Sequence, residues 1–217
     1  SAGLRLDLYV VTDEEISRGR SHQQIARLAL AGGADVIQLR AKDMDGGKMF
    51  EVAREIRSLT TSARALLIVN DRLDVALAAR ADGVHLGQDD LPVSEARRIS
   101  PPGFIIGASV GSVEEAIKAE RDGADYVALS PVFNTASKED AGPGHGLEVM
   151  EVLKGAVSIP IVGIGGITLD NVSKVIAAGA DGIAVISAVV SQEDVTGAAQ
   201  LLKAHIEMAK TERAPIQ

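Results

Sequence analysis

Eight short, β-branched apolar runs punctuate the chain: Leu8–Val11, Val36–Leu39, Leu66–Val69, Gly83–Leu86, Ile105–Ala108, Tyr126–Leu129, Ile161–Ile164 and Gly182–Ile186. Longer stretches with helical patterning separate them: His22–Leu30, Lys48–Leu59, Leu73–Ala79, Val93–Ile99, Val113–Arg121, Leu147–Val157, Asn171–Ala178 and Val195–Met208. A strand followed each time by a helix implies parallel strands joined by crossover helices. An eight-stranded sheet can close on itself and leave no edge. Eight units in 217 residues fit closure better than a doubly wound open sheet. The predicted fold is therefore α/β, a single (β/α)8 TIM barrel, forming one catalytic domain over residues 1–217.

A weak repeat supports the barrel. The same dipeptide announces four of the strands: Ala34-Asp35, Ala81-Asp82, Ala124-Asp125 and Ala180-Asp181. Three of the four follow a glycine, Gly33, Gly123 or Gly179, at the place where a helix end calls for positive φ. These positions belong to the N-terminal, bottom face of the barrel, so the four aspartates are expected to serve stability rather than chemistry.

Composition narrows the function. The hydrophobic fraction is 46% and the aromatic fraction 2%, without Trp, so the core must be aliphatic, as suits a buried parallel sheet. The formal charge of -8 and the absence of a basic run disfavour nucleic acid as a partner. With no cysteine, disulfides and thiolate metal sites are excluded, and nothing argues for export. No apolar segment is long enough to span a bilayer and no signal peptide precedes the first run, so the expected location is cytoplasmic, without a membrane partner. A homodimer is compatible with the sequence.

In such barrels chemistry sits just after the strands. After the second run comes Gln38-Leu39-Arg40-Ala41-Lys42, whose polar members share one side if the strand alternation continues; two cations there make an anion site. Asn70-Asp71 follows the third run, and His85 with Gly87-Gln88-Asp89-Asp90 the fourth. Alone, an Asn-Asp pair is more often a helix cap. Beside a second acidic cluster it can supply hard oxygen ligands to Mg²⁺. His85 reads equally well as a packed histidine or a substrate contact. Ser109 follows the fifth run. The sixth leads into Ser130–Lys138 and on to Gly146, a hydroxyl-rich loop whose Gly142-Pro143-Gly144 suggests a lid. Gly163-Ile164-Gly165-Gly166-Ile167 and Ile186-Ser187 end the last two runs, where barrels often seat a phosphate on backbone N–H groups. No Ser-His-Asp set for nucleophilic catalysis emerges.

Taken in order, Gln-Leu-Arg-Ala-Lys, Val-Asn-Asp, Gly-Val-His-Leu-Gly-Gln-Asp-Asp, Gly-Ala-Ser, Ser-Pro-Val-Phe-Asn-Thr-Ala-Ser-Lys, Gly-Ile-Gly-Gly-Ile and Val-Ile-Ser-Ala resemble the thiamin phosphate synthase family from about Leu8 to His205. The resemblance implies a transferase of thiamine biosynthesis. It would condense 4-amino-2-methyl-5-hydroxymethylpyrimidine diphosphate with 4-methyl-5-(2-hydroxyethyl)thiazole phosphate by a dissociative, Mg²⁺-assisted substitution. Gln38, Leu39, Arg40, Ala41, Lys42, Asn70, Ser109 and Lys138 would hold the pyrimidine diphosphate, with Arg40, Lys42, Ser109 and Lys138 closest to the reaction. Asp71 and Asp90 would bind Mg²⁺. Thr135, Ala136, Ser137, Gly166, Ile186 and Ser187 would bind the thiazole phosphate. Asn134 and Ser137 stand where the family loop often has Pro and a second Thr, and Gly142–His145 is less typical. Two alternatives come from the same fold: a thiazole tautomerase, in which the second metal-binding Asp tends to be absent, and a non-catalytic phosphate-ligand sensor.

Overall fold

The computed structural model describes residues 3–134 and 144–213. Eight strands alternate with helices: β1 (Leu8–Val11), α1 (His22–Ala31), β2 (Val36–Leu39), α2 (Gly46–Ala63), β3 (Leu66–Asn70), α3 (Leu73–Ala78), β4 (Gly83–Leu86), α4 (Val93–Ile99), β5 (Ile105–Val110), α5 (Val113–Asp122), β6 (Tyr126–Leu129), α6 (Gly146–Ala156), β7 (Ile161–Ile164), α7 (Val172–Ala177), β8 (Gly182–Val185), α8 (Ser187–Val190) and α9 (Val195–Arg213). The strands are all parallel and close in sequence order, β8 pairing with β1 through Leu8 opposite Ile183. This is the TIM barrel that the pattern predicts. The short helix α8 was not anticipated. It follows at once from the end of β8, where the sequence reading carries the strand to Ile186.

Two apolar layers hold the barrel. The outer one lies between strands and helices and is built from Val, Ile, Leu and Ala, including Val10, Ile37, Leu39, Val69, Val127 and Ile183, all fully buried. The inner one fills the barrel with Leu6, Tyr9, Val36, Ile68, Ile105, Tyr126 and Val162. Both tyrosines of the chain stand in this interior. Gly107 on β5 makes room for one of them, since a Cβ there would lie 2.0 Å from the Tyr126 ring. A methyl group at Gly107 would have to displace that ring, which interiors packed at crystal density resist.

The Ala-Asp repeat is a structural device at the bottom of the barrel. The backbone N–H groups of Leu8, Leu67, Ile106 and Ile161 donate to the carboxylates of Asp35, Asp82, Asp125 and Asp181. Each aspartate opens an even-numbered strand and satisfies an N–H of the odd-numbered strand before it. Each also meets a cation from a helix: Lys203 for Asp35, Arg57 for Asp82, Arg97 for Asp125 and Lys154 for Asp181. Gly33, Gly123 and Gly179 have φ of 98°, 108° and 125°, as helix-ending glycines should. At the remaining repeat, Ala81-Asp82, Arg80 adopts the same left-handed backbone, with φ 57°.

Candidate functional site

At the opposite, C-terminal face a cavity of about 60 Å³ opens into the barrel. Its polar lining comes from Tyr9, Gln38, Asn70, His85, Ser109 and Ser130, and Arg40 stands at its rim. A larger cavity of about 410 Å³ adjoins it at the mouth, lined by Asp13, Glu14, His22, Arg40, Lys42 and their neighbours. Arg40 belongs to both, which joins them into one recess.

Strand β2 ends at Leu39. Gln38 therefore points inward by strand alternation, whereas Arg40, Ala41 and Lys42 lie in the following loop and owe their placement to it. Leu39 faces the outer layer, fully buried, so only its backbone is available to a ligand. Arg40 Nη1 lies 3.9 Å from Asp13 Oδ2 and Lys42 Nζ 2.6 Å from Asp71 Oδ2. Both cations chosen as anion ligands thus face the recess, each beside a carboxylate.

Asp71 and Asp90, from the ends of neighbouring strands, are neighbours at the mouth. Asp71 has φ 66°, an uncommon conformation for a non-glycine residue and one that concentrates at functional sites. Its N–H donates to the carbonyl of His85 at 2.9 Å, which ties it to β4. Asp90 is held by a tight turn in which Gly87 N–H donates to its Oδ2 at 2.7 Å. The two carboxyls are close enough to shift each other's protonation in opposite directions. Burial pushes Asp90 up, and the neighbouring Asp71 adds to the rise. Burial also acts to raise Asp71, but the hydrogen bonds from Asp90 and Lys42, with the charge of Lys42, outweigh it and hold Asp71 low. Two carboxyls pressed together in this way fit a divalent cation, whose charge would offset their mutual repulsion. No cluster of three or more acidic or histidine ligands exists among the described residues. Two carboxylates alone would leave most of a cation's coordination to water and ligand oxygens, an arrangement that Mg²⁺ accepts.

His85 proves to be both packed and exposed to the cavity. Its Nε2 lies 2.8 Å from Ser109 Oγ and its Nδ1 2.9 Å from the Tyr126 hydroxyl. Tyr126 is 2.6 Å from Tyr9, and Tyr9 is 2.7 Å from the Gln38 amide. Burial pushes the Tyr9 hydroxyl up to about 12 and that of Tyr126 well above its usual range, so both remain protonated. Sequence reasoning missed Tyr9, Tyr126 and Asp13, and took Ser130 only as the first residue of the loop after β6. The signal for the tyrosines was present: two phenols inside otherwise aliphatic strands need polar partners at that depth.

On the far side of the mouth, Gly165 and Gly166 have φ of 108° and 67°. Asn171 Nδ2 donates to the Gly166 carbonyl at 2.9 Å and fixes the turn. A Cβ on Gly166 would lie 2.9 Å from the Asn134 carbonyl oxygen and from Phe133 Cβ. Close packing thus already demands this glycine, before any ligand is considered. Ile186 lines the inner cavity, and Ser187 begins α8. Thr135, Ala136, Ser137 and Lys138, with Gly142, lie outside the described residues. Gly144 is no open hinge: its N–H donates to Asn134 Oδ1 at 2.6 Å, and a Cβ there would meet the Phe133 backbone at 2.5 Å. Among the described residues no helix is long and apolar enough to cross a membrane.

Comparison with known proteins identifies the family. Residues 8–189 match the family model described as thiamine monophosphate synthase. A thiamine-phosphate synthase of Methanoculleus marisnigri is 66% identical over 95% of this chain and 98% of its own. That of Methanocella arvoryzae is 59% identical over 94% and 96%. The solved thiamine phosphate pyrophosphorylase of Pyrococcus furiosus superposes with a TM-score of 0.88 at 45% identity, covering 94% of this chain and 97% of that one. A 3-hexulose-6-phosphate synthase shares the fold alone, at 19% identity and a TM-score of 0.71. By its family signature, its identity to these relatives and its barrel, the chain belongs to the thiamine-phosphate synthase family of transferases.

Proposed function

We propose that the recess divides the synthase reaction between two ends. The observation that carries this reading is the Asp71–Asp90 pair beside Lys42, at the edge of a cavity lined by Gln38, Asn70 and Ser109. The aminopyrimidine enters the inner cavity, where Gln38, Asn70 and Ser109 orient its ring. Its diphosphate lies outward, against Arg40 and Lys42, which exchange Asp13 and Asp71 for the ligand's negative charge. Mg²⁺ held by Asp71 and Asp90 would supply further neutralisation of the diphosphate. The thiazole phosphate is met by backbone around Gly166, Ile186 and Ser187, with Thr135, Ala136 and Ser137 completing the site.

The bond between the pyrimidine methylene and the diphosphate oxygen breaks, and its electron pair leaves with the diphosphate. The thiazole nitrogen then donates its lone pair to the methylene carbon. The protein supplies no nucleophile. It contributes orientation and charge placed where negative charge grows. Lys138 joins Arg40 and Lys42 in that task. A cytoplasmic setting and a soluble homodimer are compatible with this role. The test is to incubate the protein with both substrates and Mg²⁺ and to quantify diphosphate and coupled product. Release that needs both substrates and the metal supports the assignment, and product without metal dependence overturns it.

A further inference from the structure

Six residues from six different strands, with Asp71 just beyond β3, form one continuous run of hydrogen-bonding groups across the cavity floor. It starts at Ser109, 2.8 Å from His85 Nε2, and passes from His85 Nδ1 to Tyr126 at 2.9 Å and on to Tyr9 at 2.6 Å. From Tyr9 it reaches the Gln38 amide at 2.7 Å and then the Asn70 amide at 3.1 Å. The other end of the Asn70 amide lies 3.1 and 3.2 Å from the two oxygens of Asp71. Every inner member can donate one hydrogen bond and accept one along the run, so the whole chain can point in only two directions.

The two directions are not equivalent at the Asp71 end. In one, Asn70 Nδ2 donates to Gln38 Oε1, Gln38 Nε2 donates to Tyr9, and the Asn70 oxygen is left facing a carboxylate. Two acceptors then oppose each other in a partly buried place, which costs free energy. In the other direction both amides are turned end over end. Asn70 Nδ2 donates to Asp71, Gln38 Nε2 to the Asn70 oxygen, Tyr9 to Gln38 Oε1, and Tyr126 to Tyr9. His85 must then donate from Nδ1 to Tyr126, and its Nε2 must accept from the Ser109 hydroxyl.

We propose that the Asp71 carboxylate sets the direction of this chain and so holds His85 as its Nδ1–H tautomer, with Tyr9 and Tyr126 as positioning residues that transmit the choice. The consequence appears at Ser109. Its proton is committed to His85, so its oxygen faces the cavity as an acceptor. An acceptor there matches an amino substituent on a heterocycle and opposes an oxo substituent. This last step rests on the proposed placement of the aminopyrimidine, whereas the tautomer does not.

The experiment is nitrogen-detected NMR of the histidine side chains at alkaline pH, without substrate or metal, with the His85 signals assigned through His85→Gln. Wild-type protein should show His85 as a single species protonated at Nδ1. Tyr9→Phe and Asp71→Asn should each abolish that single population, giving a mixture or the reverse tautomer. Tyr9→Phe deletes one oxygen and keeps the ring, and circular dichroism verifies its fold. Asp71→Asn tests the same link from the partly buried end of the run. An Nε2–H or doubly protonated ring in the wild type overturns the proposal, as does an unchanged Nδ1–H species in both variants. In kinetics, Tyr9→Phe should raise KM for the pyrimidine diphosphate roughly 10-fold, as expected for a hydrogen bond lost at the site. KM for the thiazole phosphate should hold. A correct tautomer without synthase turnover would sink the proposed function and leave the chain direction standing.

Discussion

The two ends of the barrel use the same residue type for opposite purposes. At the bottom, Asp35, Asp82, Asp125 and Asp181 each accept from a strand N–H and meet a helix cation of their own. At the mouth, Asp71 and Asp90 face each other and share one lysine, Lys42. The bottom set is complete within the protein and leaves nothing for a ligand to add. The mouth pair is short of positive charge and long on acceptors. An aspartate therefore stabilises where its partners are built in and binds where they are withheld.

Substitutions at the two ends should separate activity from stability. Asp71→Asn should lower kcat by roughly a hundred- to a thousand-fold, the scale set by loss of one charge-stabilising group. Its melting temperature should stay close to wild type. Steady-state rates across a Mg²⁺ titration check this, and equal rates and metal dependence would break the contrast. Asp35→Ala should do the reverse. It strands the Leu8 N–H and leaves Lys203 uncompensated, at a cost of about 3 kcal/mol. For a chain of this size that lowers the melting temperature by roughly 6–12 °C. Calorimetry measures the loss, and kcat of the folded variant should be retained.

Gly166 lies between these extremes. Gly166→Ala places a Cβ against Asn134 and Phe133 in a left-handed backbone, so about 1–3 kcal/mol of stability should go. The thiazole phosphate KM should rise as well. A variant that shifts only one of the two readouts would assign the glycine to packing alone or to the ligand alone.

The smallest effect concerns His22, buried under the mouth loop with Nδ1 2.7 Å from Thr12 Oγ1. Burial holds this histidine below its usual value, against the opposing pull of Glu14 and Asp13. The unfolded chain then binds the proton more readily than the folded one. Stability should fall as pH drops from the ordinary histidine range toward the depressed value. Denaturant titrations of wild type and His22→Gln over that window test the sign, and parallel curves would show that His22 contributes no pH dependence.

The barrel was legible because its signal is repetitive. Eight runs, eight helical stretches and the Ala-Asp dipeptide each report the same alternation, so no single ambiguity could change the fold. Asp71, Asp90, Arg40 and Lys42 were legible because they follow strands, where a barrel collects its chemistry. Tyr9 and Tyr126 were not, because they sit inside apolar runs and read as bulky core residues. Only the closed barrel brings their hydroxyls together from residues 117 apart. Asp13 escaped for a different reason: its partner Arg40 comes from another loop, and nothing local announces the meeting.

The bottom clamps also bear on the order in which the chain assembles. The backbone bonds to Asp35, Asp82, Asp125 and Asp181 span 27, 15, 19 and 20 residues. Each lies within one strand-helix-strand segment and can form early, since short loops close at low entropic cost. The helix cations are local for Asp125 and Asp181, at 28 and 27 residues. Asp35 must wait for Lys203, 168 residues away on the last helix. The first quarter of the barrel therefore completes its clamp only when α9, the last helix, is in place.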